Sequence, residues 1–186
     1  KKADKVFVFT SYLENKYKKM FPKHKSIFRT VPSMIDIETF DLLSKNDINM
    51  IKQEKIEQLE SHKIKIVYAG ACNRPNGLFF FLEAAAQLKQ EKKLDFLIFF
   101  FFVYGDVNLV REYCSDHNLT ENALFFEPVY LEQLPAIYSK ADILLLPEQG
   151  DIIANAGFPG KTAELLASGK AILATKFSDL PLYLTN

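Results

Sequence analysis

Apolar and polar positions follow a regular order from residue 64 to the end of the chain. Five short apolar runs alternate with segments in which apolar residues recur every three or four positions. The runs predict strands, and the longer period predicts amphipathic helices. Nearly continuous apolar strands between helices are typical of a parallel sheet covered on both faces, so we predict a Rossmann-like α/β fold. The predicted strands span 65–69, 94–104, 124–126, 143–146 and 171–175, and the predicted helices span 78–88, 109–117, 131–139 and 162–168.

The first 63 residues have a different pattern. A short apolar strand ends at Thr10, Ser11 is a predicted N-cap for a helix over 12–20, and a second strand over 27–31 follows. Two strands and one helix bury too little surface to form a domain. We therefore expect 1–40 to be the end of a preceding domain, 41–63 a connection with a solvated helix, and 64–186 the main domain, truncated at its carboxyl end.

Composition narrows the functional class. The 186 residues carry 23 basic and 23 acidic side chains, and 48% of the residues are hydrophobic. This balance argues against a nucleic-acid partner, although residues 1–63 have a net charge of +4 and residues 64–186 one of −4. Two cysteines and no predicted signal peptide favour the cytoplasm. The eight lysines among the first 25 residues would suit peripheral contact with the inner face of an anionic membrane, but a solvated helix face is the favoured interpretation.

The loop after the first predicted strand of the main domain is a candidate binding loop. Gly70 ends that strand, Gly77 precedes the helix, and Arg74 and Asn76 lie between them. Ligands of open parallel sheets bind at the carboxyl ends of the strands, where glycines let a ligand approach the backbone. An ordinary strand-to-helix turn explains this loop equally well.

A second candidate is the long segment between Pro147 and Gly160, because connections of this kind need only a few residues. It ends at Lys161 and Thr162, at a predicted helix start, and Glu164 follows. A lysine can hold a phosphate, and a carboxylate can accept hydrogen bonds from a ribose diol. Compensation of the helix dipole is the alternative for Glu164. Three cations are expected at this edge of the sheet and favour an anionic ligand: Arg74, Lys161 and Lys176.

Other chemistries have less support. Gly160-Lys161-Thr162 departs from a P-loop, because Asn155 stands where its first glycine is needed and Pro159 lacks an N–H. The histidines and cysteines have no metal-ligand spacing, so we expect no metal site. No nucleophile elbow or dinucleotide fingerprint is present. Cys72 is more simply a small side chain in a turn than a nucleophile.

These features resemble, in order, the carboxyl-terminal part of a GT-B glycosyltransferase of the large family 4, the glycosyl transferases group 1. The two most specific blocks are Leu134 to Asp142 and Pro159-Gly160-Lys161 through Glu164 to Lys170. The weaker ones are Ala3-Asp4-Lys5-Val6 with Ser11, Val31-Pro32 through Asp36 and Phe40, Tyr68-Ala69-Gly70, Asn76-Gly77-Leu78 and Tyr104-Gly105-Asp106.

The resemblance implies a retaining, metal-independent hexosyltransferase that uses a UDP- or GDP-linked sugar and no cofactor. It implies that a glycan or lipid-linked acceptor binds the amino-terminal domain, so this part alone is expected to be inactive. Arg74 and Lys161 are the catalytic candidates, placed at the pyrophosphate. Polysaccharide biosynthesis is the expected role. The residues expected at the donor nucleotide are Gly70, Asn76, Gly77, Val129, Gly160, Thr162 and Glu164.

The chain departs from the family pattern at two positions. Ala156 stands where the first of two carboxylates is expected, and Asn76 replaces a lysine. Glu148 or Asp151 is a candidate substitute for the missing carboxylate. Two alternatives therefore stay open, which are a non-catalytic GT-B domain acting as a binding or regulatory module, and a sugar-nucleotide epimerase-like enzyme.

Overall fold

The computed structural model describes residues 3–46, 63–73, 77–150 and 155–184, and they form two parallel sheets with flanking helices. The strands are β1 (Val6–Val8), β2 (Phe28–Thr30), β3 (Ile64–Ala71), β4 (Leu97–Tyr104), β5 (Ala123–Phe126), β6 (Ile143–Leu146) and β7 (Ala171–Ala174). The helices are α1 (Ser11–Met20), α2 (Ile37–Ser44), α3 (Leu78–Gln90), α4 (Val107–Asp116), α5 (Leu134–Ser139) and α6 (Thr162–Ala167). Short 3₁₀ turns cover Pro22–Ile27, Leu131–Gln133 and Leu180–Leu182.

The main sheet confirms the predicted Rossmann-like α/β class. Its five strands are parallel in the order β5-β4-β3-β6-β7. The chain adds strands on one side of β3 and then crosses to the other side, so β3 and β6 flank the switch point of the sheet. In open α/β sheets, a crevice at the carboxyl ends of such strands is the usual ligand site.

Both faces of the main sheet are buried along its inner strands, because these strands are apolar at successive positions. Along β4, Phe99 and Phe101 pack under α3 and α4, where Phe81 meets Phe99 edge to face at 5.0 Å. Phe100 and Phe102 point to the opposite face and pack with Phe126, together with α2, α5 and α6. This two-sided core makes the strands a rigid support for the loops at their carboxyl ends.

The first sheet contains only β1 and β2, which pair in parallel beside α1. The predicted N-cap of α1 is wrong by one residue, because the Thr10 hydroxyl accepts the Leu13 N–H at 3.2 Å and the helix begins at Ser11. Ser11 instead uses its hydroxyl and its N–H to contact Asp179, far along the chain. Thr10 and Ser11 both carry a hydroxyl, so the sequence alone does not distinguish which of them caps the helix.

The connection toward the main sheet contains α2, which the sequence pattern did not resolve. Asp36 caps α2 by accepting the N–H groups of Glu38 and Thr39, and Phe40 is buried against the main sheet. The predicted domain boundary at residue 40 stays a prediction. Much of the predicted solvated helix lies outside the described residues. No helix in the described parts of the chain is long and apolar enough to cross a membrane.

Candidate functional site

A cavity of about 500 Å³ opens at the carboxyl end of the main sheet, beside the switch point. That volume suits a small ligand, since ligand pockets measure roughly 300–1,000 Å³. Its walls come from the ends of β3 and β4, the loops after β5 and β6, and the start of α6. The lining residues are Tyr68, Ala69, Gly70, Ala71, Phe102, Tyr104, Pro128, Val129, Leu131, Leu134, Tyr138, Glu148, Pro159, Gly160, Lys161 and Glu164.

Gly70 makes room for a charged group at the centre of this cavity. Its φ of +154° is rare for other residues, and a Cβ there would lie 3.0 Å from Nζ of Lys161. The same Cβ would lie 3.3 Å from the hydroxyl of Tyr68. A side chain at position 70 would therefore displace the lysine, which explains why glycine suits the end of β3.

Lys161 is the charged group that fills this space. Its ammonium lies 4.6 Å from the centre of the Tyr68 ring and donates a hydrogen bond to the carbonyl of Ala69 at 3.4 Å. Burial lowers the pKa of Lys161 from its ordinary value, while the nearby carboxylates of Glu148 and Glu164 act in the opposite direction. A largely desolvated cation of this kind interacts strongly with an anionic ligand.

Tyr68 supports the lysine from below. The side chain is 2% exposed, and its hydroxyl donates to the carbonyl of Ala71 at 2.6 Å. Burial is the main cause that raises the pKa of the phenol, and the charge of Glu148 adds to it. The phenol therefore stays neutral and presents its ring face to Lys161.

Two carboxylates complete the polar part of the cavity. Burial raises the pKa of Glu164, and Lys161 partly offsets this effect. Glu148 lies two residues after the end of β6, and Thr175 holds its backbone in place. The Glu148 N–H donates to the Thr175 hydroxyl at 2.9 Å, and this hydroxyl donates to the Glu148 carbonyl at 2.6 Å. One cation and two carboxylates thus share a cavity otherwise lined mainly by apolar groups.

Two of the predicted donor-binding residues lie behind the cavity wall. Gly77 is the N-cap of α3 with a φ of +71°, and a Cβ there would lie 2.0 Å from the carbonyl oxygen of Pro147. Gly77 thus lets α3 pack against the loop that carries Glu148. Thr162 is fully buried, and its hydroxyl has no hydrogen-bond partner among the described residues.

The structure brings five of the predicted residues together on the cavity wall, and their binding roles stay predictions. They are Gly70, Val129, Gly160, Lys161 and Glu164. Arg74 and Asn76 fall outside the described residues. The third expected cation, Lys176, lies in a separate depression beside Thr175 and Leu180. Of the three cations predicted at this edge, Lys161 is therefore the one found among the described residues that line the cavity.

Sequence reasoning missed the aromatic part of the site. Tyr68 and Tyr138 lie in a predicted strand and a predicted helix and are not among the candidate site residues, but both are buried and line the cavity. Tyr104, at the end of β4, is exposed at the cavity mouth. The position of Tyr104 at the carboxyl end of β4 could have signalled this, because the topology brings the carboxyl ends of the strands to one edge.

Cys72 fits its structural interpretation. It is fully buried, its thiol donates to the carbonyl of Tyr104 at 3.0 Å, and burial raises the pKa of the thiol. A buried, protonated thiol is a poor nucleophile. Within the described residues, no three histidine, cysteine or acidic side chains cluster in a way that could hold a metal ion.

Comparison with known families places this geometry in context. The chain belongs to the glycosyl transferases group 1 family, whose model matches residues 63–185. No curated protein sequence matches the chain. The sheet and its flanking helices match the GT-B glycosyltransferase fold.

Three solved structures illustrate the fold. A glycosyltransferase from Rickettsia africae matches 98% of this chain and 47% of its own length, with a TM-score of 0.78 and 15% identity. HepE of Anabaena, in complex with UDP, matches 99% of this chain and 48% of its own, with a TM-score of 0.70 and 12% identity. A carboxyl-terminal domain of a group 1 glycosyltransferase (LpcC) from Francisella tularensis matches 82% and 75%, with a TM-score of 0.57 and 18% identity. The chain thus spans about half the length of the first two proteins.

Proposed function

We propose that this chain is the donor-binding part of a retaining, metal-independent glycosyltransferase of family 4. The enzyme transfers a hexose from a UDP- or GDP-linked sugar to a glycan or lipid-linked acceptor in polysaccharide biosynthesis. The observation that carries the proposal is the cavity at the switch point of the sheet, which Lys161 and Glu164 line together with Gly70. Membership of the glycosyl transferases group 1 family favours glycosyl transfer over the epimerase-like alternative.

Each polar group has a role that its chemistry suits. The diphosphate gains negative charge as it leaves the sugar, and a cation already in place stabilises that charge without reorganisation. Lys161 is such a cation, held over the Tyr68 ring. Glu164 suits the ribose hydroxyls, because a carboxylate accepts two hydrogen bonds.

The choice of a nucleotide sugar is supported by the structural neighbours. HepE of Anabaena has been crystallised with UDP, with UDP and glucose, and with UDP-glucose. In our proposal, the base lies against the apolar wall around Val129 and the diphosphate lies at Lys161. The acceptor binds a further domain, and the complete enzyme acts in the cytoplasm.

A second candidate function rests on Ala156, where the family pattern has its first carboxylate. The backbone carbonyl of Ala156 accepts a hydrogen bond from the Thr10 hydroxyl at 3.2 Å, and its side chain has no polar group. If Glu148 does not replace the missing carboxylate, the domain serves as a non-catalytic binding module. We favour the active enzyme because Glu148 lines the cavity together with Lys161 and Glu164.

Calorimetric titration of this chain with UDP, GDP and ADP tests the proposal. We expect one of the first two nucleotides to bind, without loss of affinity in EDTA. Lys161→Ala should weaken binding by about tenfold or more, since hydrogen bonds to charged groups contribute about 1.5–3 kcal/mol. Lys140→Ala is the matched control, because Lys140 is exposed at the end of α5 and away from the cavity.

The outcomes separate the candidates. Binding that depends on Lys161 and not on Lys140 supports the donor site. Binding that survives Lys161→Ala unchanged contradicts the assignment of the diphosphate position. Absence of binding by all three nucleotides contradicts the donor-binding proposal and favours a module without a nucleotide.

A further inference from the structure

Three distant segments of the chain meet at a small hydrogen-bonded junction beside the cavity. They are residues 10–11 at the start of α1, residues 155–157 in the segment before α6, and residues 178–179 after β7. Each segment is bonded to the other two. This junction is not part of the cavity wall, yet one of its segments leads directly into it.

Asp179 bonds the third segment to the first. Its carboxylate accepts the N–H of Ser11 at 2.6 Å and the hydroxyl of Ser11 at 2.5 Å. Asp179 is only 7% exposed, and a buried carboxylate must be hydrogen-bonded to be stable. The N–H of Ser11 belongs to the first turn of a ten-residue helix and has no acceptor within that helix. Asp179 and Ser11 therefore satisfy each other.

The second segment is bonded from both sides. The Thr10 hydroxyl donates to the carbonyl of Ala156 at 3.2 Å. The Ser178 N–H donates to Oδ1 of Asn155 at 2.9 Å, and its hydroxyl donates to the carbonyl of Gly157 at 2.9 Å. Ser178 has a φ of +48°, a conformation that costs free energy for a residue other than glycine. That conformation persists because the surrounding hydrogen bonds hold it.

We infer that Asp179 is a positioning residue for Lys161 and thereby for the donor nucleotide. The junction fixes residues 155–157, and only three residues separate Gly157 from Lys161. Without Asp179, α1 no longer restrains this segment through Thr10, and the lysine loses its fixed place over Tyr68. The inference rests on the proposed nucleotide site, and Asp179 is not among the residues that line the cavity. It also makes the β1–α1–β2 layer a determinant of affinity in the cavity.

Substitution of Asp179 tests the inference, with nucleotide affinity measured by calorimetry. Asp179→Ala should weaken UDP or GDP binding about fivefold or more, the lower end of typical coupling between sites. Asp179→Asn should largely restore affinity, because its amide oxygen can accept the Ser11 N–H while its amide nitrogen donates to the Ser11 hydroxyl. Ser11→Ala, which keeps the backbone N–H, should give a smaller loss and serves if Asp179→Ala does not fold.

Asp36→Ala is the matched control. Asp36 also accepts N–H groups at the start of a helix, α2, but does not line the cavity. Its loss should lower stability and leave affinity unchanged. If Asp179→Ala and Ser11→Ala bind nucleotide as the wild type does, the inference is wrong while the proposed function stands. If the wild type binds no nucleotide, the proposed function fails instead.

A measurement without nucleotide tests the same restraint. Burial lowers the pKa of Lys161. Release of the segment should admit water and move that pKa upward toward its ordinary value in Asp179→Ala, but not in Asp36→Ala. The titration can be followed by NMR of labelled lysine, with the signal assigned through Lys161→Arg. An unchanged pKa in folded Asp179→Ala would overturn the inference whether or not a nucleotide binds.

Discussion

The two sheets of this protein differ in how they bury their side chains. In the main sheet, both faces are covered, and Phe99, Phe100 and Phe101 have no exposed surface. At the β1–β2 sheet, Phe7 in β1 is 66% exposed and Phe9, directly after β1, is 59% exposed, and both line an open apolar depression. Within this chain, the main sheet is therefore held by its core, whereas the layer of β1, α1 and β2 (the small layer) buries few apolar side chains and is joined to the rest of the chain by polar contacts.

The difference explains where a binding site can be built. Loops at the carboxyl ends of β3 and β6 start from strands that cannot shift without opening the core, so Gly70 and Glu148 have defined positions. The small layer offers no comparable support. Its contribution to the site is indirect, through the hydrogen bonds that Thr10 and Ser11 make to Ala156 and Asp179.

Truncation of one phenylalanine in each sheet should give the largest contrast. Phe100→Ala removes a fully buried ring that stacks on Phe126, and we expect it to lower the free energy of unfolding by about 3–5 kcal/mol. Phe7→Ala removes an exposed ring and should change it by about 0.5 kcal/mol or less. Urea unfolding of this chain measures both. Equal losses would show that the two sheets are stabilised alike.

Substitution of glycines around the main sheet should give smaller, graded losses in the free energy of unfolding. Gly77→Ala places a Cβ 2.0 Å from the Pro147 carbonyl oxygen at a φ of +71°, and we expect a loss of about 2–4 kcal/mol from strain and overpacking together. Gly169→Ala has a φ of +65° but open space, so only the strain of about 1–2 kcal/mol applies.

Gly160→Ala is the control of this series, because it meets nothing within 4 Å and its φ is not in the left-handed region. It should leave the unfolding midpoint nearly unchanged. The series is measured by thermal or urea unfolding. A Gly77→Ala variant as stable as Gly169→Ala would mean that α3 does not depend on close packing against the loop after β6.

Local patterns in the sequence were sufficient for the main sheet but not for contacts between distant segments. The apolar runs located β3 to β7, because nearly continuous apolar runs are typical of the strands of a parallel sheet covered by helices. Lys161 and Glu164, three positions apart at a helix start, were correctly placed at one edge. The bond between Ser11 and Asp179 spans 168 residues, and no local pattern encodes such a pairing.

Some residues can serve either of two purposes, and a local pattern does not distinguish between them. Thr10 and Ser11 both carry hydroxyls, so the cap could not be assigned without knowing that Asp179 binds Ser11. Gly77 suits a ligand loop as well as a packing contact; the structure places it against Pro147, and its binding role stays a prediction. Tyr68 lies within a predicted apolar strand, so the local pattern did not reveal that its buried ring faces Lys161.

The smallest expected effect concerns a polar contact within the small layer. Hydrogen bonds from Lys18 and Thr30 lower the pKa of Glu14 from 4.5 to about 2, and they tie α1 to β2. Since the folded-state pKa is the lower one, the ionised carboxylate stabilises the fold above about pH 4.5. That contribution should be lost as the pH falls from 4.5 to 2. Solvent screening limits it to about 1 kcal/mol or less.

Urea unfolding of the wild type and of Glu14→Gln between pH 5 and pH 2 measures this contribution. The two proteins should differ most at pH 5 and converge toward pH 2, because protonation removes in the wild type what the substitution removes at every pH. Glu121→Gln, an exposed position before β5, controls for the loss of one negative charge. The contradicting outcome is a stability difference between wild type and Glu14→Gln that stays constant over this range. It would mean that the charge of the Glu14 carboxylate does not hold α1 on β2. The small layer would then rely on the packing of Tyr17 and Phe21 against Phe28.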